Sequence, residues 1–219
     1  MIKAILWDFD GVIADSVNVK TEGFYELYLP YGNHVAEKVK KYHLANGGMS
    51  RFKKFEYFQT VLLGQSSPVP GKIIESLANR FSQLVLKKVI NAPYVKGVQN
   101  TLEKYSHIVD NYIVSGTPME EMKIIIKERK LDGYFNDVYG SPKDKKQLTD
   151  EIITKYGYYP NEIVFIGDAL SDFEAAKHGG TFFILRKHSD NIELFKNYQS
   201  YSINDFLTFD SIFNEINNL

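Results

Sequence analysis

Five short, almost unbroken apolar runs constrain the fold of this chain more than any other feature of its sequence. A strand of a parallel sheet is buried on both faces, so it reads as a continuous apolar run and not as an alternating one. Helical patterns separate the later runs, which predicts right-handed crossovers and a doubly wound, parallel α/β sheet. The predicted strands are residues 2–9, 112–114, 138–139, 163–166 and 182–185, with 200–203 as a candidate sixth, and the predicted core helices are 119–129, 148–156, 173–178 and 206–216.

The segment between Ser16 and Pro93 has no such run and carries its apolar residues at helical spacing. This pattern predicts an all-helical cap domain, residues 16–93, inserted into a Rossmann-like catalytic core made of residues 1–15 and 94–219. The point of insertion puts the cap over the carboxyl edge of the sheet, where open α/β folds bind ligands. The predicted cap helices are residues 17–29, 35–44, 52–63 and 73–89.

Composition and charge exclude several classes of protein. The 219 residues contain no cysteine, which excludes disulfides, thiol catalysis and cysteine-ligated metal sites. A formal net charge of −1 gives no field that would attract nucleic acid or an anionic membrane, so neither is an expected partner. The sequence has no apolar run of about 20 residues, and too few apolar residues precede Asp8 for a signal-peptide core. We therefore expect a soluble, cytoplasmic protein. The sequence leaves its oligomeric state open, and a monomer is one of the alternatives.

Two acidic pairs lie where predicted strands end. Asp8 and Asp10 lie at the end of the first strand and project to the same side of an extended chain, and Asp168 and Asp172 follow the fourth. Because parallel strands bring their carboxyl ends to one edge of the sheet, we expect a cluster of hard oxygen ligands of the kind that Mg²⁺ prefers. Solvated surface acids are the alternative for the first pair. Asp172 is also predicted to cap a helix, since residues 171–174 have the capping-box pattern.

A serine and a glycine end the second predicted strand. Ser115 and Gly116 precede Thr117 and Pro118, which open the next predicted helix, and the free N–H groups at such a helix start bind phosphate well. Thr117 and Glu120 form another capping-box pattern, so Thr117 is predicted to be structural, whereas Ser115 has no capping role. Ser115 and Gly116 are therefore candidate phosphate ligands.

A lysine at the start of the helix after the third strand is a further candidate. Leu148, Ile152 and Tyr156 define the buried face of this predicted helix. At ~100° per residue, Lys145 lies roughly 20° from Ile152, whereas Lys143 lies about 180° away. Lys145 is therefore predicted to point toward the acidic pairs and Lys143 toward solvent.

The four segments lie in this order along the chain, each at the end of a predicted strand. They resemble the motifs of the haloacid dehalogenase superfamily of phosphohydrolases, whose helical cap follows the first motif. The resemblance covers essentially the whole chain and implies phosphatase activity. The sequence lacks the Lys-Pro pair common at the third motif, which keeps Lys143 as an alternative. The matching segments are Asp8-Phe9-Asp10-Gly11-Val12, Ser115-Gly116-Thr117, Lys145 and Gly167-Asp168-Ala169-Leu170-Ser171-Asp172.

The resemblance also implies a role for each matching residue. Asp8 would attack phosphorus and form an aspartyl-phosphate, while Asp10 would protonate the leaving oxygen and later deprotonate the hydrolytic water. Mg²⁺ would be bound by Asp8, the backbone carbonyl of Asp10 and Asp168, with Asp172 orienting its waters. An acid at position 10 disfavours carbon–halogen cleavage, which needs no proton donor there. The implied phosphate contacts are Ser115, Gly116 and Lys145.

The cap contributes one candidate for substrate binding. Arg51 follows the flexible Gly47-Gly48 pair, in a segment similar to the Gly-x-Ser-Arg of sugar-phosphate mutases in the family. Arg51 is predicted to contact a distal phosphate, carboxylate or hydroxyl group of the substrate. The alternative is a structural one, in which Ser50 caps a helix that begins at Arg51.

The leading hypothesis is a Mg²⁺-dependent phosphatase of a small metabolite, with sugar phosphates as the first substrates to try. The alternative is a sugar phosphomutase, which returns the phosphoryl group to a second hydroxyl. A non-catalytic phosphate-binding protein is disfavoured, because such a protein would be expected to lack Asp8 or Asp10.

The choice between the two lysines is open to a direct test. Lys145→Ala is expected to lower the turnover rate on the order of 10²-fold or more, because it removes a preorganised charge. Lys143→Ala is the matched control and is expected to cost little. Steady-state kinetics of both variants measures the two turnover rates. A larger loss of turnover rate in Lys143→Ala than in Lys145→Ala would show that the predicted helix phase was wrong.

Overall fold

Six parallel strands form a single sheet in the computed structural model, which describes residues 1–219. The strands are β1 (Ala4–Trp7), β2 (Asp110–Pro118), β3 (Asp137–Ser141), β4 (Ile163–Gly167), β5 (Phe182–Arg186) and β6 (Ser202–Ile203). Their order is β3-β2-β1-β4-β5-β6, and every neighbouring pair is parallel. The chain changes direction across the sheet between β1 and β4, where a ligand crevice is expected. The predicted Rossmann-like α/β fold is confirmed.

Nine helices accompany the sheet, and the first four lie together between β1 and β2, where helices alone were predicted. The third continues as a π-helical turn over Phe58–Leu62. The fifth was not predicted, although its buried Val98, Leu102 and Tyr105 stand at helical spacing. None combines the length and hydropathy that a membrane-crossing helix needs. The helices are α1 (Val17–Tyr28), α2 (Asn33–Ala45), α3 (Arg51–Tyr57), α4 (Gly71–Ile90), α5 (Val98–Tyr105), α6 (Met119–Glu128), α7 (Lys145–Tyr156), α8 (Leu170–Gly179) and α9 (Phe209–Asn217).

Alternate residues of β1 belong to two separate apolar cores. Ile5 and Trp7 pack into the larger core, which continues into the helices of the cap. Ala4 and Leu6 pack into the smaller core on the opposite face of the sheet, which also contains residues of α7 and α8. All four side chains are fully buried. Burial on both faces explains why the run that forms β1 is continuously apolar.

Two adjacent linkers join α1–α4 to the rest of the chain. The N–H of Asp15 donates to the carbonyl of Pro93 at 2.8 Å, and the N–H of Val95 donates to the carbonyl of Ile13 at 3.0 Å. The two chain crossings therefore run side by side. The division of the chain at these linkers into a cap of residues 16–93 and a core stays a prediction.

Arg129, directly after α6, holds the end of the last cap helix. Its guanidinium donates to the carbonyls of Val89, Ile90 and Ala92 at 2.8–3.0 Å and lies over the ring of Tyr94 at 4.1 Å. These carbonyls lie at or just beyond the carboxyl end of α4, where the negative end of the helix dipole favours a cation. Arg129 therefore fixes α4 against the core.

Arg129→Met is expected to lower the free energy of unfolding by about 2 kcal/mol, since a hydrogen bond to a charged group contributes roughly 1.5–3 kcal/mol. Lys127→Met removes the same charge from an exposed position of α6 and is the matched control. Urea denaturation of both variants measures the difference. An equal loss of unfolding free energy in the two variants would mean that the removed charge, and not the contact with α4, causes the loss.

Candidate active site

The first acidic pair lies at the carboxyl end of β1, beside the point where the strand order reverses. The N–H of Asp8 continues the sheet by donating to the carbonyl of Ile166 at 2.9 Å, and its side chain is buried. Gly11 has a φ of +80°, and a Cβ at this position would lie 2.0 Å from Oδ2 of Asp168. A side chain at this position would strain the turn and displace the carboxylate of Asp168 from the first pair.

Three buried carboxylates meet at this edge of the sheet. Oxygens of Asp8, Asp168 and Asp172 lie within 4.8 Å of one another. Nζ of Lys145 lies 2.8 Å from Oδ1 of Asp8 and also donates to Asp172, and Nε2 of His188 lies 2.9 Å from Oδ2 of Asp168. The structure thus brings together the acids that follow β1 and β4, and it adds His188, which had no motif of its own.

The environment of this cluster disfavours its charged form. Burial raises the pKa of Asp8 to about 7, and the nearby charges of Asp172 and Asp10 add to the rise while Lys145 opposes it. Burial likewise raises the pKa of Asp168 and of Asp172, and in each case a neighbouring carboxylate adds to the effect. Such crowding of hard oxygen ligands is relieved by a bound cation. The donor set therefore fits Mg²⁺.

The environment of Asp10 has the opposite effect and favours the charged form of its carboxyl. Oγ of Ser16 donates to Oδ1 at 2.6 Å, and Nζ of Lys20 donates to Oδ2. Burial favours the neutral acid, but the charge of Lys20 and the hydrogen bonds from Lys20 and Ser16 outweigh it and hold the pKa of Asp10 below its usual value. The pKa values of the neighbouring carboxyls of Asp8 and Asp10 are therefore shifted in opposite directions, so the two groups differ in their protonation. Lys20 was not predicted, although it stands one helical turn after Ser16.

Ser115 and Thr117 differ from their predicted roles. Oγ of Ser115 is buried and accepts the N–H of Thr117 at 3.1 Å, so Ser115 does have a local role, and its own hydroxyl proton stays free to donate. Helix α6 begins after Pro118, and Oγ1 of Thr117 accepts from Lys20 at 2.6 Å. The predicted capping box at residues 117–120 is therefore wrong, because a charged partner on α1 takes the hydroxyl.

The start of α8 confirms one capping prediction and corrects another. The carboxylate of Asp172 accepts the N–H of Ala169 at 3.0 Å, so Asp172 caps the helix as predicted. The helix begins at Leu170, however, and Ser171 donates its hydroxyl to the carbonyl of Gly47 in the cap at 3.0 Å. The capping box predicted for residues 171–174 is wrong for this reason.

The two lysines of the third segment point in opposite directions. Lys145 begins α7 and is 3% exposed. Lys143 is exposed and pairs with Glu151 at 2.7 Å. These orientations agree with those calculated from the helix phase, although Tyr156, the third residue of the predicted buried face, is 36% exposed at the end of α7. The catalytic role of Lys145 stays a prediction.

The cap loop of residues 46–50 packs directly on the site. A Cβ at Gly116 would lie 2.2 Å from the carbonyl oxygen of Gly48, and a Cβ at Gly48 would lie 2.1 Å from Oγ of Ser171. Residues of the cap and of the core line a common cavity, and both Asp8 and Gly116 are among them. Clefts between two domains are frequent binding places for small molecules.

Arg51 lies in the wall of this cavity and joins the cap to the core. Its guanidinium donates twice to Glu121 of α6, at 2.5 and 2.8 Å, and once to Ser82 of α4 at 2.7 Å. Ser50 precedes α3, as the structural alternative requires, but its hydroxyl makes no capping hydrogen bond. A contact between Arg51 and the substrate stays a prediction.

Comparisons of the sequence and of the fold with known proteins both find haloacid dehalogenase-like hydrolases or proteins of the same fold. The sequence pattern of the family described as haloacid dehalogenase-like hydrolase matches residues 5–185, and no curated protein is significantly similar to the chain in sequence. Similar solved structures include a β-phosphoglucomutase from Clostridium difficile, with 16% identity, coverage of 100% of this chain and 98% of that chain, and a TM-score of 0.76. CbbY from Rhodobacter sphaeroides in complex with xylulose-(1,5)bisphosphate has 16% identity, coverage of 94% and 95%, and a TM-score of 0.72. A predicted phosphoglycolate phosphatase from Haemophilus somnus has 16% identity, coverage of 96% and 97%, and a TM-score of 0.72. At these identities the likeness shows the fold alone.

The buried Asp8 is expected to make metal-free protein less stable as the pH rises. Its carboxyl has a pKa of about 7 in the folded protein against an ordinary value of 3.8, so the folded state binds the proton more tightly and is favoured in acid within this window. Asp8→Asn should reduce the dependence of the unfolding free energy on pH in this range. Asp15→Asn, at an exposed position, should leave that dependence unchanged. Urea denaturation in EDTA between about pH 4 and pH 7 measures the slopes, and identical slopes for Asp8→Asn and wild type would contradict the assignment.

Proposed function

Because the chain belongs to the family of haloacid dehalogenase-like hydrolases, we propose that it is a Mg²⁺-dependent phosphatase of a small metabolite, with Asp8 as covalent nucleophile. One observation carries the proposal. Asp8 lines the cavity with Lys145 2.8 Å from its carboxylate and with two further carboxylates within 4.8 Å. This arrangement combines a nucleophile, a compensating charge and ligands for a hard cation.

Mg²⁺ would be held by the carboxylates of Asp8 and Asp168 and by the backbone carbonyl of Asp10. Asp172 already accepts from Lys145 and from the N–H of Ala169, so its role would be to orient water bound to the ion. The ion, when bound, would stabilise negative charge on the phosphoryl oxygens.

The side chains around Asp8 would divide the phosphoryl-transfer step among them. Asp8 attacks phosphorus, the bond to the leaving oxygen breaks, and an acyl phosphate forms that water later hydrolyses. The Ser115 hydroxyl and the Gly116 N–H would hold phosphate oxygens, and Lys145 would offset their charge. Each of these groups is buried or lines the same cavity.

Asp10 would give a proton to the leaving oxygen and take one from the hydrolytic water. Its pKa is low because Lys20 bonds to it, whereas a proton donor must first be protonated. A bound phosphate ester would bring negative charge next to Asp10 and would offer Lys20 a second anionic partner. Both effects raise the pKa of Asp10, so proton uptake would accompany substrate binding.

The proposal is tested by release of inorganic phosphate from p-nitrophenyl phosphate and from a panel of sugar phosphates. Turnover is expected to require Mg²⁺ and to fall to background in Asp8→Asn, because an amide cannot form the acyl phosphate. Asp15→Asn is the control and should retain full turnover.

Three outcomes would contradict the proposal. Turnover in folded Asp8→Asn protein would exclude Asp8 as the nucleophile, and full turnover in exhaustively chelated enzyme would exclude the metal. An isomerised sugar phosphate formed without free phosphate would identify a phosphomutase in place of a phosphatase.

A further inference from the structure

Four cationic side chains line or approach the cavity, and only one of them has no anionic partner. Lys145, Lys20 and Arg51 each form an ion pair with an aspartate or a glutamate. Lys54 forms none, and its Nζ lies 2.7 Å from Nδ1 of His43. A charge that lacks a partner in the protein is available to a ligand.

Lys54 is buried among apolar groups and yet lines the cavity. The residue is 1% exposed, and the ring of Phe24 lies 5.5 Å from its Nζ and 4.7 Å from the His43 ring. Burial of an ammonium group without a counter-ion is costly, so such groups are normally paired. Burial, helped by the charges of Lys20 and Arg51, lowers the pKa of Lys54 well below its usual range.

We propose that Lys54 and His43 form a subsite of the cavity that binds a second anionic group of the substrate, a carboxylate or a phosphate. The inference rests on the proposed function and narrows the substrate class to phosphate monoesters that carry another anion. His43 is suited to orient Lys54, because burial lowers the pKa of its imidazole, and a neutral ring without a proton on Nδ1 would accept a hydrogen bond from Nζ of Lys54 at 2.7 Å. An anion beside Lys54 would supply the missing counter-charge and restore the ammonium form.

The other cations of the cavity are less available for this group. Arg51 gives two hydrogen bonds to Glu121 and one to Ser82, so an anion would have to compete with a bidentate carboxylate. Lys20 already donates to Asp10. Lys54 is therefore the cap residue expected to select the substrate.

The experiment compares kcat/KM for ester pairs that differ mainly in the second anion. Ethyl phosphate against 2-phosphoglycolate tests a carboxylate, and n-propyl phosphate against 1,3-propanediol bisphosphate tests a phosphate. Wild-type enzyme is expected to prefer the anionic member of at least one pair by about tenfold or more, equivalent to about 1.4 kcal/mol. Lys54→Met, similar in length and uncharged, should reduce that ratio to about twofold or less, mainly through KM, whereas Lys54→Arg should retain part of it.

Lys53→Met is the matched control, because the neighbouring Lys53 side chain is 58% exposed, and this variant should keep the wild-type ratio. A wild-type ratio below about twofold in both pairs would overturn the subsite, whether or not Lys54→Met folds. An unchanged ratio in folded Lys54→Met would overturn the assignment to Lys54.

Failure of the proposed function would look different, since no ester, p-nitrophenyl phosphate included, would then release phosphate with Mg²⁺. Calorimetric titration of the same esters into wild-type and Lys54→Met protein gives the affinity ratio without turnover. The expected ratio is again about tenfold in favour of the anionic member for wild type, and equal affinities would overturn the subsite.

Discussion

The crowding of buried carboxylates at one edge of the sheet is the physical constraint on which the site depends. Asp8, Asp168 and Asp172 repel one another, and Lys145 reaches only two of them. Their closeness follows from the pairing of β1 with β4 and from the absence of a side chain at Gly11. Apolar cores on both faces of the sheet stabilise this unfavourable arrangement. Groups with strongly shifted pKa values are concentrated where chemistry is performed.

The core supplies the acids of the cavity, and the cap supplies three of its cations. Lys20 reaches Asp10, and Arg51 reaches Glu121, so both ion pairs join the cap to the core. The position of the cap and the protonation of Asp10 are therefore coupled. If the cap moves away, Asp10 loses the partner that lowers its pKa, and Lys20 is released to pair with an anionic substrate.

Local patterns predicted most of the fold, whereas contacts between distant segments were missed. Continuous apolar runs predicted the parallel strands, and the phase of one helix predicted the direction of Lys145. Thr117 has the sequence pattern of a helix cap but bonds to Lys20, 97 residues away in the chain. Ser171 likewise bonds to Gly47 of the cap, 124 residues away. A capping pattern describes only neighbours in sequence, so a stronger distant partner overrides it.

Lys54 shows what a local pattern can and cannot identify. Arg51, Lys54, Phe55 and Phe58 stand at positions i, i+3, i+4 and i+7 of one helical face, and all four are buried. The phase alone therefore places both cations on the apolar side of α3, where an unpaired charge is costly. Which of them is paired depends on Glu121, 70 residues after Arg51, and nothing local encodes that contact. The family resemblance favours Arg51 as the ligand for an anion, which stays a prediction, whereas the ion pair between Arg51 and Glu121 is the reason for proposing Lys54.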